Sequence, residues 1–198
     1  MILGYQHWWL MSWQSSAVSF LHGKSSLVMI VLMLLTKILK LNKRPTKLKE
    51  SDIKRVVMNS RGMKLFTCRW LPANGEPKAL VFLCHGYGME SSISMKGRKG
   101  TGARLAKAGY GVYGMDYEGH GRSSGLPGYI PSFEDVVTDC SDHYTRISER
   151  KKNLKKSRFL MGESMGGTVA ILLHLKKPNF WDGAVLIAPM RKVSCLPG

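Results

Sequence analysis

Cysteine is thinly used. Cys68, Cys84, Cys140 and Cys195 are spread over 198 residues, and no two form a C-x-x-C pair. None stands at metal-ligand spacing from a histidine. The pattern offers neither a zinc framework nor a disulfide scaffold, and a reducing compartment such as the cytosol suits it best. Long apolar runs are also missing. The longest, Leu27 to Leu35, has nine residues, short of the roughly 20 that cross a bilayer. No fixed period repeats, and no low-complexity tract interrupts the chain. Acidic residues are few: 13 Asp and Glu face 30 Lys and Arg, for a formal net charge of +17.

That charge collects in two runs. Lys37 to Arg55 holds one, and Arg150, Lys151, Lys152, Lys155, Lys156 and Arg158 hold the other. Such runs attract anionic surfaces, either nucleic acid or a membrane leaflet. They also occur as solvated linkers and helix ends. No nucleic-acid-binding motif stands beside either run, so no nucleic-acid partner is expected.

Residues 1–50 differ from the rest and read as an N-terminal extension with an apolar run and a basic linker. The run Leu27 to Leu35, with basic residues after it, fits an h-region, an interfacial helix, a marginal signal anchor or a leader with no role. Membrane-surface contact through residues 27–55 is one expectation, for a protein otherwise placed in the cytoplasm.

Residues 51–198 are regular. Ile53 to Met58 and Met63 to Trp70 are strand-like around the turn cluster Asn59-Ser60-Arg61-Gly62, which predicts a hairpin. Ala79 to Cys84 is a continuous apolar run, the mark of a strand covered on both faces. A helix over Ala103 to Ala108, a strand over Gly111 to Met115 and a helix over Phe133 to Glu149 with Ser132 as N-cap follow. Then come a strand over Arg158 to Met161, a helix over Met165 to Leu175 and a last buried strand over Ala184 to Ala188. Strands alternating with helices predict an α/β fold with a mostly parallel sheet and helices on both faces.

Gly162-Glu163-Ser164-Met165-Gly166 matches G-x-S-x-G directly after an apolar strand and directly before a helix. A strand turning that sharply into a helix needs small residues at Gly162 and Gly166. Ser164 then projects its hydroxyl at a helix N-terminus, where the dipole favours developing negative charge. His85-Gly86-Tyr87-Gly88 follows the buried strand, and its backbone can approach a substrate closely. The Tyr87 and Met165 N–H groups are the expected oxyanion hole. His85 is expected to support the loop rather than act as base. Asp116-Tyr117-Glu118-Gly119-His120-Gly121-Arg122-Ser123 marks a tight loop at the same edge of the sheet. A metal site on Asp116, Glu118 and His120 is set aside in favour of a structural loop, and no cofactor is expected.

These motifs, in this order and with Gly128-Tyr129-Ile130-Pro131-Ser132-Phe133, resemble the plant monoacylglycerol lipases and the related caffeoylshikimate esterases of the α/β-hydrolase fold. Gly109 to Gly121 and Phe180 to Met190 are the segments most specific to that branch. The resemblance covers about residues 50 to 192. It implies hydrolysis of a small-molecule ester, with monoacylglycerols or lysophospholipids as the lipid option and caffeoyl shikimate as the phenolic one, and with Ser164 matching the nucleophile and Tyr87 and Met165 the oxyanion-hole residues. The triad in this fold runs Ser, Asp or Glu, then His along the chain. After Ser164 there is one carboxylate, Asp182, and one histidine, His174. Asp182 precedes a strand, and His174 lies well into a helix. The sequence therefore reads as the N-terminal portion of the fold, incomplete at its C-terminus, from a truncated product or a short isoform. A non-catalytic binding protein is the alternative. Lys96-Gly97-Arg98-Lys99-Gly100 reads as an insertion of about three residues relative to the family.

Overall fold

The computed structural model describes residues 55–91 and 100–190. The N-terminal extension, its apolar run, the 96–100 insertion up to Lys99, and the tail from Arg191 with Cys195 lie outside the described residues. Among the described residues, no helix is long and apolar enough to cross a membrane.

Six strands and three helices alternate much as the patterning predicts. They are β1 (Arg55–Met58), β2 (Lys64–Trp70), β3 (Leu80–Cys84), α1 (Thr101–Lys107), β4 (Gly111–Met115), α2 (Phe133–Ser148), β5 (Arg158–Glu163), α3 (Met165–Lys176) and β6 (Gly183–Ile187). The sheet order is β1-β2-β4-β3-β5-β6. β1 and β2 form the antiparallel hairpin, with Val56 opposite Phe66. β2 runs antiparallel to β4, and the β4–β3, β3–β5 and β5–β6 pairs are parallel.

All five residues of β3 are buried, as expected of a strand with a parallel neighbour on each side. Alternation sends Leu80, Phe82 and Cys84 to one face, where they join Val137, Tyr144, Val169 and Leu173 of α2 and α3 in the main core. Phe82 is its centre: its ring lies 4.8 Å from Tyr144, 5.6 Å from Trp181 and 5.7 Å from Tyr113. Tyr144 donates its hydroxyl to the Leu83 carbonyl at 2.6 Å, which ties α2 to the strand. The buried residues of α1 lie outside that cluster, as do Val81 and Leu83, so α1 covers the opposite face.

α2 starts as its sequence dictates, with the Asp135 amide donating to the Ser132 hydroxyl. One expectation fails. β6 is not a buried strand. Its first three residues are half-buried, and Leu186 and Ile187 are each 40% exposed. Its composition is apolar, but among the described residues it pairs only with β5.

Candidate active site

The site is built at the C-terminal ends of β3, β4 and β5. Ser164 follows the last residue of β5 and is the N-cap of α3, with φ 53° and ψ −120°. A side chain held at positive φ costs of order 1–3 kcal/mol and persists only when its surroundings enforce it. Those surroundings are specific. A Cβ on Gly162 would run into the Gly166 carbonyl, and one on Gly166 would run into the carbonyl oxygens of Cys84 and His85. The strand and helix therefore approach each other across hydrogen atoms alone.

A second set of contacts holds the turn from the β6 side. The Ser164 amide donates to the Ile187 carbonyl at 2.9 Å, and the Ser164 carbonyl accepts from Gly167 at 2.9 Å and Met190 at 3.1 Å. A Cβ on Gly167 would lie 2.7 Å from the Pro189 Cβ. Thr168 donates its hydroxyl to the Met190 carbonyl. Sequence reasoning missed this clamp; Pro189 just past the strand was its only local signal.

The loop after β3 runs beside the serine. A Cβ on Gly86 would lie 3.5 Å from the Ser164 Cβ and 3.4 Å from the Glu163 carbonyl oxygen. Gly86 and Met89 close a turn at 3.2 Å. Met165 is buried at the first position of α3, where a backbone N–H has no intrahelical acceptor. Tyr87 turns its ring outward, 62% exposed, and donates its hydroxyl to the Gly128 carbonyl at 2.8 Å.

His85 is fully committed. Its Nε2 accepts the Tyr117 amide at 3.1 Å, so its proton resides on Nδ1, which donates to the Gly86 carbonyl at 2.8 Å. The ring stacks on Tyr117 at 3.9 Å. Burial pushes its pKa down to about 4. A neutral imidazole with both nitrogens occupied fixes the loop and takes no proton from Ser164.

The Asp116–Ser123 loop is likewise a structural knot. The buried Asp116 carboxylate accepts from Ser91 at 2.8 Å and Arg122 at 3.1 Å, and its carboxyl is raised by burial against those hydrogen bonds. Ser123 donates to the Asp116 carbonyl at 2.6 Å and accepts the Phe66 amide at 2.9 Å. Glu118 faces Arg61 at 2.9 Å, and His120 Nδ1 meets the Glu118 carbonyl at 3.0 Å. Asp116, Glu118 and His120 thus serve separate partners.

The two downstream candidates lie elsewhere. Asp182 accepts the Arg158 amide at 2.7 Å, at the N-terminal end of β5, the full strand away from Ser164. His174 is exposed on α3, ten residues beyond Ser164. Among the described residues, no histidine hydrogen-bonds to the Ser164 hydroxyl. Also missed from sequence was the brace under the hairpin turn, where buried Asp139 meets Arg61 at 2.9 Å and Asn59 at 3.1 Å.

A strand–serine–helix elbow at the C-terminal edge of a mostly parallel sheet, with a glycine loop from the neighbouring strand beside it, defines an α/β-hydrolase. Within that class, residues 75–196 match the family model described as Hydrolase_4, serine aminopeptidase S33, and the chain belongs to this family. It is 36% identical over 130 residues to a caffeoylshikimate esterase of Arabidopsis thaliana, covering 64% of this chain and 38% of that one. It is 34% identical over 135 residues to a monoglyceride lipase of Mus musculus, covering 68% and 42%. The fold also matches a solved monoglyceride lipase from Saccharomyces cerevisiae, with a TM-score of 0.61, 23% identity, and coverage of 73% and 47%. The chain spans about two fifths of the length of these curated relatives.

Proposed function

We propose that this chain carries the nucleophile and oxyanion half of a serine carboxylic ester hydrolase. The observation that carries the reading is Ser164 at φ 53°, clamped between β5, α3 and the end of β6 with the Gly86 loop beside it. Ser164 Oγ attacks the ester carbonyl, and the new C–O bond pushes charge onto the carbonyl oxygen. The Tyr87 and Met165 amides face that oxygen, and the α3 dipole adds to them. The serine proton passes to a base, the alcohol departs with a proton, and water releases the acid from the acyl-enzyme. His85, Gly86, Gly162 and Gly166 hold the two loops in register. The relatives' names point to small esters, with a monoacylglycerol as the lipid option and a caffeoyl ester as the phenolic one.

A fluorophosphonate probe tests the nucleophile. Wild type should label weakly and Ser164→Ala not at all; equal labelling of the two would end the assignment. Weak labelling is expected because no histidine of the described residues hydrogen-bonds to the Ser164 hydroxyl, and loss of a triad member costs roughly 10⁴ to 10⁶ in turnover. That same observation favours a second reading, a non-catalytic member that binds an ester without cleaving it. Turnover of monoacylglycerol near about 10 per second, usual for enzymes, would exclude it. For residues 27–55 we propose contact with a membrane surface. Fractionation of the full chain beside one starting at Glu50 tests this, and a soluble full chain would refute it.

A further inference from the structure

A second cavity, of about 150 Å³, opens between the β1–β2 hairpin and the C-terminal half of α2. It lies toward the antiparallel edge of the sheet, reaching Tyr113 of β4, with β3 between β4 and the elbow strand. Four arginines line it: Arg55 from β1, Arg69 from β2, and Arg146 and Arg150 from α2 and its end. Thr67, Tyr113 and His143 supply polar groups to the same lining.

Four guanidinium groups around one cavity repel each other unless something anionic sits among them. Six carboxylates of the described residues are paired with other cations. Arg61 takes Glu118, Asp135 and Asp139, and Lys156, Arg158 and Lys176 take Glu76, Asp182 and Glu134. None of those ion pairs involves the four cavity arginines. A helix C-terminus explains Arg146 and Arg150 through the dipole. It does not explain Arg55 and Arg69, which arrive from strands far away in the chain. Arg69 is the telling residue. Its Nε is buried and has no hydrogen-bond partner. A buried guanidinium donor without an acceptor carries a full desolvation cost. Burial, with Arg55 and Arg150 nearby, holds the Arg69 guanidinium below its ordinary range. His143 is pushed down to about 4 by burial and by Arg146 and Arg150, so it is neutral and free to donate.

We propose that this cavity is a binding site for a phosphate group, presented as a phosphate monoester either on a soluble molecule or on a lipid headgroup. Phosphate answers each feature. It has acceptor oxygens enough for several arginines, which read it bidentately. The cavity admits the group with little else attached. The Arg69 Nε gains its acceptor, and the repulsion among the four cations is cancelled.

The test uses the full chain at constant ionic strength, with inorganic phosphate titrated against chloride and read by calorimetry and by thermal shift. Saturable binding at about millimolar Kd or tighter is expected. Arg69→Gln and the exposed Arg146→Gln should each weaken it at least about tenfold, since a hydrogen bond to a charged group is at stake. Arg146→Gln keeps the test open should Arg69→Gln fold poorly. Lys151→Gln with Lys152→Gln, in the neighbouring basic run but outside the cavity, should leave binding unchanged. Vesicles of phosphatidylcholine with phosphatidic acid, compared with phosphatidylserine, then separate the sources. Tighter binding to phosphatidic acid that Arg146→Gln weakens marks a headgroup, and no gain over free phosphate marks a soluble ligand. The proposal falls if wild type binds no phosphate, if the arginine variants bind it as wild type does, or if the lysine variant loses it equally.

Discussion

β3 and β6 are both five-residue apolar strands, and the patterning treats them alike. Their surroundings do not. Leu80-Val81-Phe82-Leu83-Cys84 is held by parallel neighbours on both sides, by α1 on one face and by α2 and α3 on the other. Gly183-Ala184-Val185-Leu186-Ile187 has β5 on one side and leaves Leu186 and Ile187 40% exposed. An apolar run therefore identifies a strand, while its place in the sheet sets how much that strand stabilises. The largest expected contrast follows directly. Phe82→Ala removes a ring packed against three others and should cost about 3–5 kcal/mol, whereas Leu186→Ala should cost less than about 1 kcal/mol. Denaturant unfolding measures both, and similar costs would mean that β6 is covered in solution.

The protected end of β3 carries a liability that β6 lacks. His85 is held at about 4, below its ordinary 6.5, by burial. A depressed histidine contributes stability that is present above pH 6.5 and lost as pH falls toward 4, because the unfolded chain takes up the proton first. The span corresponds to about 3 kcal/mol. His143 is also held at about 4 and should add a similar loss. Asp116 and Asp139, both raised by burial, act in the opposite sense, but only once pH reaches the carboxylate range. The thermal midpoint in phosphate-free buffer should fall steadily between pH 6.5 and 4. His143→Gln should remove about half of that slope, and an unchanged slope would show that His143 is not buried neutral.

Much of this was legible in the sequence because it is local. The hairpin turn, the Ser132 cap, the glycines of the elbow and the buried β3 each follow from residues within a few positions of one another. What was missed depends on residues distant in the chain. Asp139 braces Arg61 across 78 positions, and no periodicity connects them. Of the cavity arginines, Arg55 and Arg150 look like parts of solvated runs, and Arg69 and Arg146 stand apart from both runs until the hairpin folds onto α2. The exposure of β6 was misjudged because composition reports what a strand offers to bury, not what arrives to cover it. β5 also runs to Glu163 rather than ending at Met161, since its pairing with β6 carries the ladder up to the elbow.

The outer edge of β6 offers a smaller test of the same contrast. Among the described residues no strand pairs with that edge, and its backbone groups and uncharged side chains make a template for another chain, opposed by the net charge of +17. Screening beyond about 8 Å at physiological salt weakens that opposition. Association should rise across a salt series in light scattering. Leu186→Lys should reduce it by about tenfold, or about 1.4 kcal/mol, whereas a monodisperse wild type at every salt would show that the edge is covered.

The smallest effect is expected where β6 meets the elbow. Ala188 follows the strand at φ 45°, a non-glycine residue in the left-handed region. Its neighbours explain why it is held there. The Ile187 carbonyl receives the Ser164 amide, Pro189 packs on Gly167, and the Met190 amide returns to the Ser164 carbonyl. The chain must bend within one residue to make all three contacts, and the bend falls on Ala188. The left-handed conformation costs about 1–2 kcal/mol for a residue with a Cβ. Glycine removes that cost but surrenders about 0.5–1 kcal/mol of backbone entropy on folding. Ala188→Gly should therefore stabilise by about 0.5 to 1 kcal/mol, a rise of a few degrees in Tm. Fluorophosphonate labelling of Ser164 should stay at the wild-type level, because the contacts that hold the elbow are made by the residues on either side. A loss of stability instead would mean that the Ala188 methyl is itself a packing contact. Unchanged stability with reduced labelling would mean that the strain at Ala188, and not only its neighbours' hydrogen bonds, keeps the serine in place.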